Sequence, residues 1–176
     1  MKNIIFMWGD SIGKLFLIMT ILFPSLLLGF LYAPKPQTSI GEWYNSLIKP
    51  DINPPKWVFS VVWTILYSLM GLSVFYILKA YSNDPKIDPK IVKEALKLFF
   101  IQYVLNLSWM PIFFKIKSFV SSFFIILLMI FFIVLTMIAF YEISKIASYL
   151  LIPYLIWSCF AAFLSFRFLS LNGSKK

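Results

Sequence analysis

The chain has 176 residues and a formal net charge of +9, from 16 lysines and arginines against 7 aspartates and glutamates. Hydrophobic residues make up 61% of it and charged residues only 13%, against about 25% charged residues in an average soluble domain. Water cannot solvate so apolar a surface, and the basic residues are scattered between apolar runs rather than clustered on one face. The composition therefore excludes an ordinary soluble domain and a nucleic-acid-binding protein, and it favours an integral membrane protein.

Five apolar segments are each long enough to cross the hydrocarbon core of a bilayer, which takes about 20 helical residues. Because backbone polar groups in lipid must find partners within their own segment, each segment is predicted to be a helix. The sequence thus predicts an all-α membrane protein, a five-transmembrane-helix bundle with a single domain over residues 1–176. The predicted spans are about 12–32, 58–78, 95–114, 119–141 and 146–171.

The first apolar segment follows a short basic start, a pattern that is also typical of a cleaved signal peptide. Its apolar run is as long as a spanning helix, and Tyr32-Ala33-Pro34 lacks a small-x-small cleavage pattern, so we expect a retained helix. Within it, Ser25 and Gly29 form a small-x-x-x-small pair, which is a weak signal for helix association.

The first loop, residues 33–57, is rich in proline and aromatic residues such as Trp43 and Tyr44. A flexible tether would instead be polar and rich in glycine and serine. We therefore predict that this lid-like loop packs on the bundle, either as a lid or as a belt at the membrane interface. The second loop, residues 79–94, is predicted to be a solvated turn because it carries Asn83, Asp84 and Asp88.

The basic residues do not orient the chain in the membrane. Eight lysines and arginines lie on each predicted side, so the positive-inside rule gives a tie. The high content of isoleucine, phenylalanine, lysine and asparagine, without a recognisable targeting peptide, favours a bacterial inner membrane.

Histidine is absent and Cys159 is the one cysteine. The sequence therefore excludes imidazole metal ligands, histidine-based proton transfer and an intramolecular disulfide. We expect no metal site and no required cofactor. The nearest carboxylates lie in loops or at helix ends, which argues against a conventional acid–base enzyme.

Three predicted helices each carry a stripe with one tryptophan, spaced so that its members share a face of the helix. Because polar groups are costly in lipid, these stripes are candidate walls of a pocket. For any single stripe, packing between helices is the more common explanation, and periodicity alone leaves both interpretations open. The stripes are Trp63, Tyr67 and Met70; Gln102, Asn106, Trp109 and Phe113; and Tyr154, Trp157, Ala161 and Ser165.

Several motifs resemble those of one known family. The runs are WYNSLIKP at 43–50, PPKWVF at 54–59, VWTILYSLMG at 62–71, QYVLNLSW at 102–109 and PYLIW at 153–157. Together they resemble the tryptophan-rich sensory protein family, whose animal members are called translocator proteins or peripheral benzodiazepine receptors.

The resemblance implies a five-helix bundle, often a homodimer, with a pocket near the first loop. In the family this pocket binds porphyrins, sterols and isoquinoline or benzodiazepine-like drugs. Some bacterial relatives are reported to degrade protoporphyrin in light, which would make Trp63 and Trp157 catalytic here. The implied ligand-binding residues are Tyr44, Trp63, Tyr67, Asn106, Trp109, Trp157 and Ala161.

The chain also departs from the family pattern. Ile52 stands where the family commonly has a tryptophan, and the fourth span lacks the usual carboxylate near Ile125. Phe166 stands where the animal cholesterol motif has a tyrosine, and that motif is a weak one. The resemblance therefore does not carry sterol binding over to this chain.

The leading hypothesis is a membrane receptor or carrier for a porphyrin or another flat, apolar ligand. Trp63, Trp109 and Trp157 would form the walls, Asn106 would donate a hydrogen bond, and Lys49 or Lys56 would pair with porphyrin carboxylates. Light-dependent porphyrin degradation is one alternative. A small-molecule transporter is another. The five spans show no repeat, although Pro111 near the end of the third span and Pro153 at the start of the fifth offer bends.

Overall fold

The computed structural model describes residues 9–173, and every regular element in that range is helical. Five helical segments within it are long and apolar enough to cross a membrane. The prediction of an all-α bundle with five transmembrane helices is therefore confirmed. The helices are α1 Gly9–Tyr32, α2 Ser39–Ser46, α3 Lys56–Asn83, α4 Pro89–Met110, α5 Phe119–Ile143, α6 Lys145–Tyr149 and α7 Ile152–Asn172.

The helices on either side of the second loop are longer than predicted. α3 continues to Asn83 rather than ending near 78, and α4 begins at Pro89 rather than near 95. The side chain of Asp88 accepts a hydrogen bond from the Lys90 N–H at 2.8 Å, which caps α4. Hydropathy marks the part of a helix that lies in lipid, whereas these two helices continue into water, and only residues 84–88 connect them.

Proline interrupts two of the spans near their ends. Pro153 has no N–H to donate to the carbonyl of Tyr149, so the fifth span consists of α6 and α7 with a break at 150–151. Pro111 begins a π-helical turn, Pro111–Lys115, in which the Ile116 N–H donates to the Pro111 carbonyl at 3.0 Å. The predicted spans 95–114 and 146–171 are therefore not continuous α-helices.

Short side chains and hydroxyls join the helices inside the bundle. A Cβ at Gly71 on α3 would lie 2.6 Å from the Cα of Ile18 on α1, so the two backbones touch there. The Ser73 hydroxyl donates to the Ala147 carbonyl at 2.6 Å, and the Tyr103 hydroxyl donates to the Ile21 carbonyl at 2.7 Å. These bonds tie α3 to α6 and α4 to α1.

The first loop packs on one end of the bundle. Trp43 stacks on Phe119 with ring centroids 5.9 Å apart, and the ring centroids of Tyr44 and Phe114 are 5.8 Å apart. The Ile48 N–H donates to Asn172 Oδ1, and Asn172 Nδ2 donates back to the Ile48 carbonyl, both at 2.9 Å. Aromatic packing and this reciprocal pair fix the loop over the ends of α4, α5 and α7.

We expect Asn172→Ala to loosen the first loop without unfolding the bundle. The substitution removes both hydrogen bonds to Ile48, and at about 1 kcal/mol each this favours local opening by about tenfold or more. Hydrogen exchange measured by mass spectrometry should accelerate in the peptide around Ile48. Ser170→Ala, an exposed change on the same helix, is the control, and equal exchange in the two variants would contradict the prediction.

Candidate functional site

A cavity of about 440 Å³ lies beneath the first loop, between α1, α3, α4, α5 and α7. This volume is typical of small-molecule sites, which run from about 300 to 1,000 Å³. Most of its lining is aromatic or aliphatic. The aromatic lining residues are Phe30, Tyr44, Phe59, Trp63, Tyr67, Trp109, Phe113, Phe114, Trp157 and Phe168.

The structure places all the implied ligand-binding residues around this one cavity. The tryptophans of the three stripes face the same space instead of pointing to lipid, although they come from three different helices. That these residues bind a ligand stays a prediction. The residues are Tyr44, Trp63, Tyr67, Asn106, Trp109, Trp157 and Ala161.

Other members of the stripes support the cavity from behind. Met70, Gln102 and Tyr154 are fully buried and do not line it. Phe113 and Ser165 do line it. Periodicity left open whether each stripe packs between helices or forms a pocket wall. Each stripe does both, because some of its residues pack between helices and the others face the cavity.

Neighbouring rings hold the three tryptophans in place. Trp63 stacks on Tyr67 with ring centroids 5.3 Å apart, and Trp109 stacks on Phe113 at 5.0 Å. Trp157 meets Phe59 edge to face at 5.9 Å. The indole N–H groups of Trp109 and Trp157 are buried, so these two rings present carbon to the cavity. The walls are consequently rigid and apolar.

A chain of hydrogen bonds underlies the polar part of the cavity. The Tyr67 hydroxyl donates to Asn106 Oδ1 at 2.6 Å, and Asn106 Nδ2 donates to the Tyr154 hydroxyl at 3.1 Å. That hydroxyl donates in turn to Gln102 Oε1 at 2.8 Å. Asn106 therefore links α3 to α7 through both ends of its amide, which fixes the orientation of this amide at the cavity.

Further polar groups lie at the end of the cavity near the first loop. Lys56 lines the cavity, and its Nζ lies 3.3 Å from the Pro34 carbonyl. Lys49, the alternative predicted carboxylate partner, does not line it; its Nζ lies 5.3 Å from the centroid of the Tyr44 ring. The structure therefore favours Lys56 over Lys49 as the cation that a ligand in this cavity would meet.

Tyr44 supplies a neutral phenol at the same end. Asn53 Nδ2 donates to its hydroxyl at 3.4 Å. Burial raises the pKa of the Tyr44 phenol above its ordinary value, and the hydrogen bond from Asn53 opposes part of that rise. The phenol therefore keeps its proton at physiological pH and remains a hydrogen-bond donor.

α1 also contributes to the cavity, which was not predicted from the sequence. The α1 residues that line the cavity are Ser25, Leu26, Gly29 and Phe30. From the sequence, Ser25 and Gly29 suggested only helix association. A Cβ at Gly29 would meet no atom within 4 Å, so Gly29 is not at a tight helix contact. Within the chain the small-x-x-x-small pair borders the cavity, and its role in association between two copies stays a prediction. Asn53 was missed as well.

Comparison with protein families matches residues 20–171 to the TspO/MBR family. Tryptophan-rich protein TspO of Chlorobaculum tepidum is 42% identical over 145 residues, which cover 82% of this chain and 86% of that protein. Tryptophan-rich sensory protein of Cereibacter sphaeroides is 33% identical over 134 residues, covering 76% and 79% of the two chains. Translocator protein of Ovis aries is 33% identical over 160 residues, covering 84% and 90%.

These matches span all five transmembrane segments and the residues around the cavity. They agree with the motifs that suggested the resemblance. The chain is an integral membrane protein and belongs to the TspO/MBR family.

Proposed function

We propose that this protein is a membrane receptor or carrier that binds a porphyrin, or another flat and apolar small molecule, in the cavity beneath the first loop. The observation that carries the proposal is the convergence of Trp63, Trp109 and Trp157 from three helices on one cavity. Three indoles fixed around an apolar space suit a broad aromatic ligand better than a small polar one.

The polar groups of the site also suit a porphyrin. Its ring is apolar and its two carboxylates lie at one edge, so the ring would occupy the space between the indoles. Lys56, at the end of the cavity nearest the first loop, would pair with a carboxylate there. Asn106, held by Tyr67 and Tyr154, would contact the buried edge. No binding step in this proposal requires a metal or a cofactor.

We expect Trp157→Ala to weaken binding of protoporphyrin several-fold. Losing one aromatic wall removes about 1 kcal/mol of ring contact. Binding is best followed through the absorbance of the porphyrin, because the variant itself removes a tryptophan. Trp57→Ala is the matched control, since Trp57 is 68% exposed and does not line the cavity.

Two outcomes distinguish a wrong site residue from a wrong ligand class. If both variants bind like the unmodified protein, Trp157 is not a wall of the binding site. If the unmodified protein itself fails to bind protoporphyrin at micromolar concentration in detergent or nanodiscs, the proposed ligand class is wrong. Helicity measured by circular dichroism verifies that each variant is folded.

Light-dependent degradation of the bound porphyrin is a second candidate. Trp63 and Trp157 line the same cavity, and Trp63 also lies 6.3 Å from the Tyr154 ring in addition to stacking on Tyr67. An excited porphyrin there would exchange an electron with Trp63 or Trp157, and dioxygen would be the oxidant that takes up the electrons lost in its degradation. Illumination in air tests this candidate: bleaching no faster than that of free porphyrin would leave binding alone.

A homodimer in a bacterial inner membrane is part of the same proposal. The dimer follows from the family resemblance, and the membrane follows from the amino-acid composition. Both remain predictions.

A further inference from the structure

α1 and α3 touch at one level of the membrane and separate at another. At Gly71 the backbones are in contact, because a Cβ there would lie 2.6 Å from the Cα of Ile18. Gly29 lies eleven residues further along α1, about 16 Å away at a rise of 1.5 Å per residue. A Cβ at Gly29 would meet nothing within 4 Å. The two helices therefore form a cleft that opens toward the first loop.

Proline lies between the closed and open ends of this cleft. Pro24, inside α1, has no N–H to donate to the carbonyl of Thr20, and its ring crowds that carbonyl, which is a usual cause of a bend in a helix. Just before this proline, the Ile21 carbonyl accepts hydrogen bonds from the hydroxyls of Tyr103 and Ser25, at 2.7 and 3.1 Å. The half of α1 before Pro24 is thus tied to α4 through Ile21.

The residues along the open part of the cleft line the cavity and are also exposed on the outside of the bundle. Leu26 and Phe30 on α1 line the cavity and are nevertheless 52% and 68% exposed. Ser60 and Thr64 on α3 also line the cavity and are exposed. These residues of two neighbouring helices thus line the cavity and also keep much of their surface exposed, as the rim of an opening would. The cavity therefore opens sideways between α1 and α3.

This opening is bordered by two membrane-spanning segments. Its residues belong to the helical segments Ser11–Tyr32 and Lys56–Asn83, which are long and apolar enough to span a bilayer. The Thr64 hydroxyl donates to the Ser60 carbonyl of its own helix at 2.8 Å, so lipid can contact this face without leaving that donor unpaired. The first loop, by contrast, is held over the end of the bundle by Asn172.

We propose that the ligand enters and leaves the cavity sideways from the bilayer, through the gap between α1 and α3, and that Gly29 sets the width of this gap. The inference rests on the proposed function, because it concerns the route to the same site. An apolar disc is concentrated in lipid, so an opening to the bilayer meets its ligand directly. Glycine at 29 leaves the gap free of a side chain where the cavity wall meets the lipid.

Gly29→Phe is the test, with Leu27→Phe as the matched control. Both add a phenyl ring to α1; Leu27 is 48% exposed but does not line the cavity. Association and dissociation of protoporphyrin are measured by stopped flow, using porphyrin fluorescence and protein in nanodiscs. We expect Gly29→Phe to slow association by about tenfold, as a narrowed entrance requires, while Leu27→Phe keeps the rate of the unmodified protein.

The association rate decides between the possible outcomes. If Gly29→Phe weakens affinity but associates at the normal rate, the ring merely fills the site and the entrance is elsewhere. If Asn172→Ala accelerates association while Gly29→Phe has no effect, the ligand enters past the first loop. Failure of the unmodified protein to bind protoporphyrin would instead overturn the proposed function, and the entrance with it.

Discussion

Replacing Asn106 with leucine is expected to destabilise the bundle by about 2–4 kcal/mol. The substitution keeps the volume of the side chain but removes both hydrogen bonds of its amide. The buried Tyr67 hydroxyl loses its acceptor, whereas the Tyr154 hydroxyl keeps its bond to Gln102 Oε1. Hydrogen bonds between membrane helices are worth about 0.6–2 kcal/mol each, and the orphaned Tyr67 hydroxyl adds a desolvation cost. The free energy of unfolding in mixed micelles is the measurement.

A double-mutant cycle with Tyr67→Phe isolates the cause. Tyr67→Phe removes the hydroxyl that donates to Asn106 Oδ1, so in the double variant Tyr67 is no longer orphaned. We therefore expect the double variant to lose less stability than the sum of the two single variants. Additive losses would show that Tyr67 and Asn106 are not coupled. An Asn106→Leu variant as stable as the unmodified protein would show that the hydrogen bonds of Asn106 contribute nothing to the bundle.

The main features of the fold follow from hydropathy. The number of spans and their order could be predicted because lipid requires long apolar helices. The ends of α3 and α4 could not be found in the same way, because those ends lie in water. A better signal was present in the sequence: Asp88 followed by Pro89 is typical of a helix start, and the structure begins α4 there.

The candidate site was predictable where its residues are chemically conspicuous. Tryptophans and amides in apolar helices stand out, and the i, i+4, i+7 spacing of Gln102, Asn106 and Trp109 places them on one face. The wall from α1 consists of serine, glycine and ordinary apolar residues, so nothing in its composition distinguishes it from a lipid-facing surface. Which face of α1 borders the cavity depends on how α1 crosses α3.

Gly29 and Gly71 also show that local sequence does not reveal how α1 and α3 pack. Gly29 and Gly71 both lie inside apolar helices, and local sequence gives them the same meaning. Their surroundings are opposite: a Cβ at Gly71 would collide with the backbone of Ile18, whereas a Cβ at Gly29 would meet nothing. Only the crossing of the two helices separates them, and mutation can reveal that difference.

Gly71→Leu is accordingly expected to prevent correct assembly of the bundle. The nearest atoms to the new Cβ would be the Cα of Ile18 at 2.6 Å and its backbone N at 2.9 Å. Backbone atoms cannot rotate away as a side chain can, so α1 would have to separate from α3. We expect a loss of about 4 kcal/mol or more, or no folded protein. The yield of monodisperse protein in detergent and its thermal unfolding midpoint are the measurements.

Alanine substitutions at the two glycines keep this prediction testable if the leucine variant cannot be purified. Gly71→Ala adds one methyl group at the contact and should destabilise the protein by about 1–3 kcal/mol. Gly29→Ala adds the same methyl group in open space and removes a glycine from a helix, so it should leave stability unchanged or raise it slightly. Equal effects of the two substitutions would mean that α1 and α3 do not meet at Gly71. The proposed cleft between α1 and α3, which runs from the contact at Gly71 to the open space at Gly29, would then lack the contact that closes one end of it.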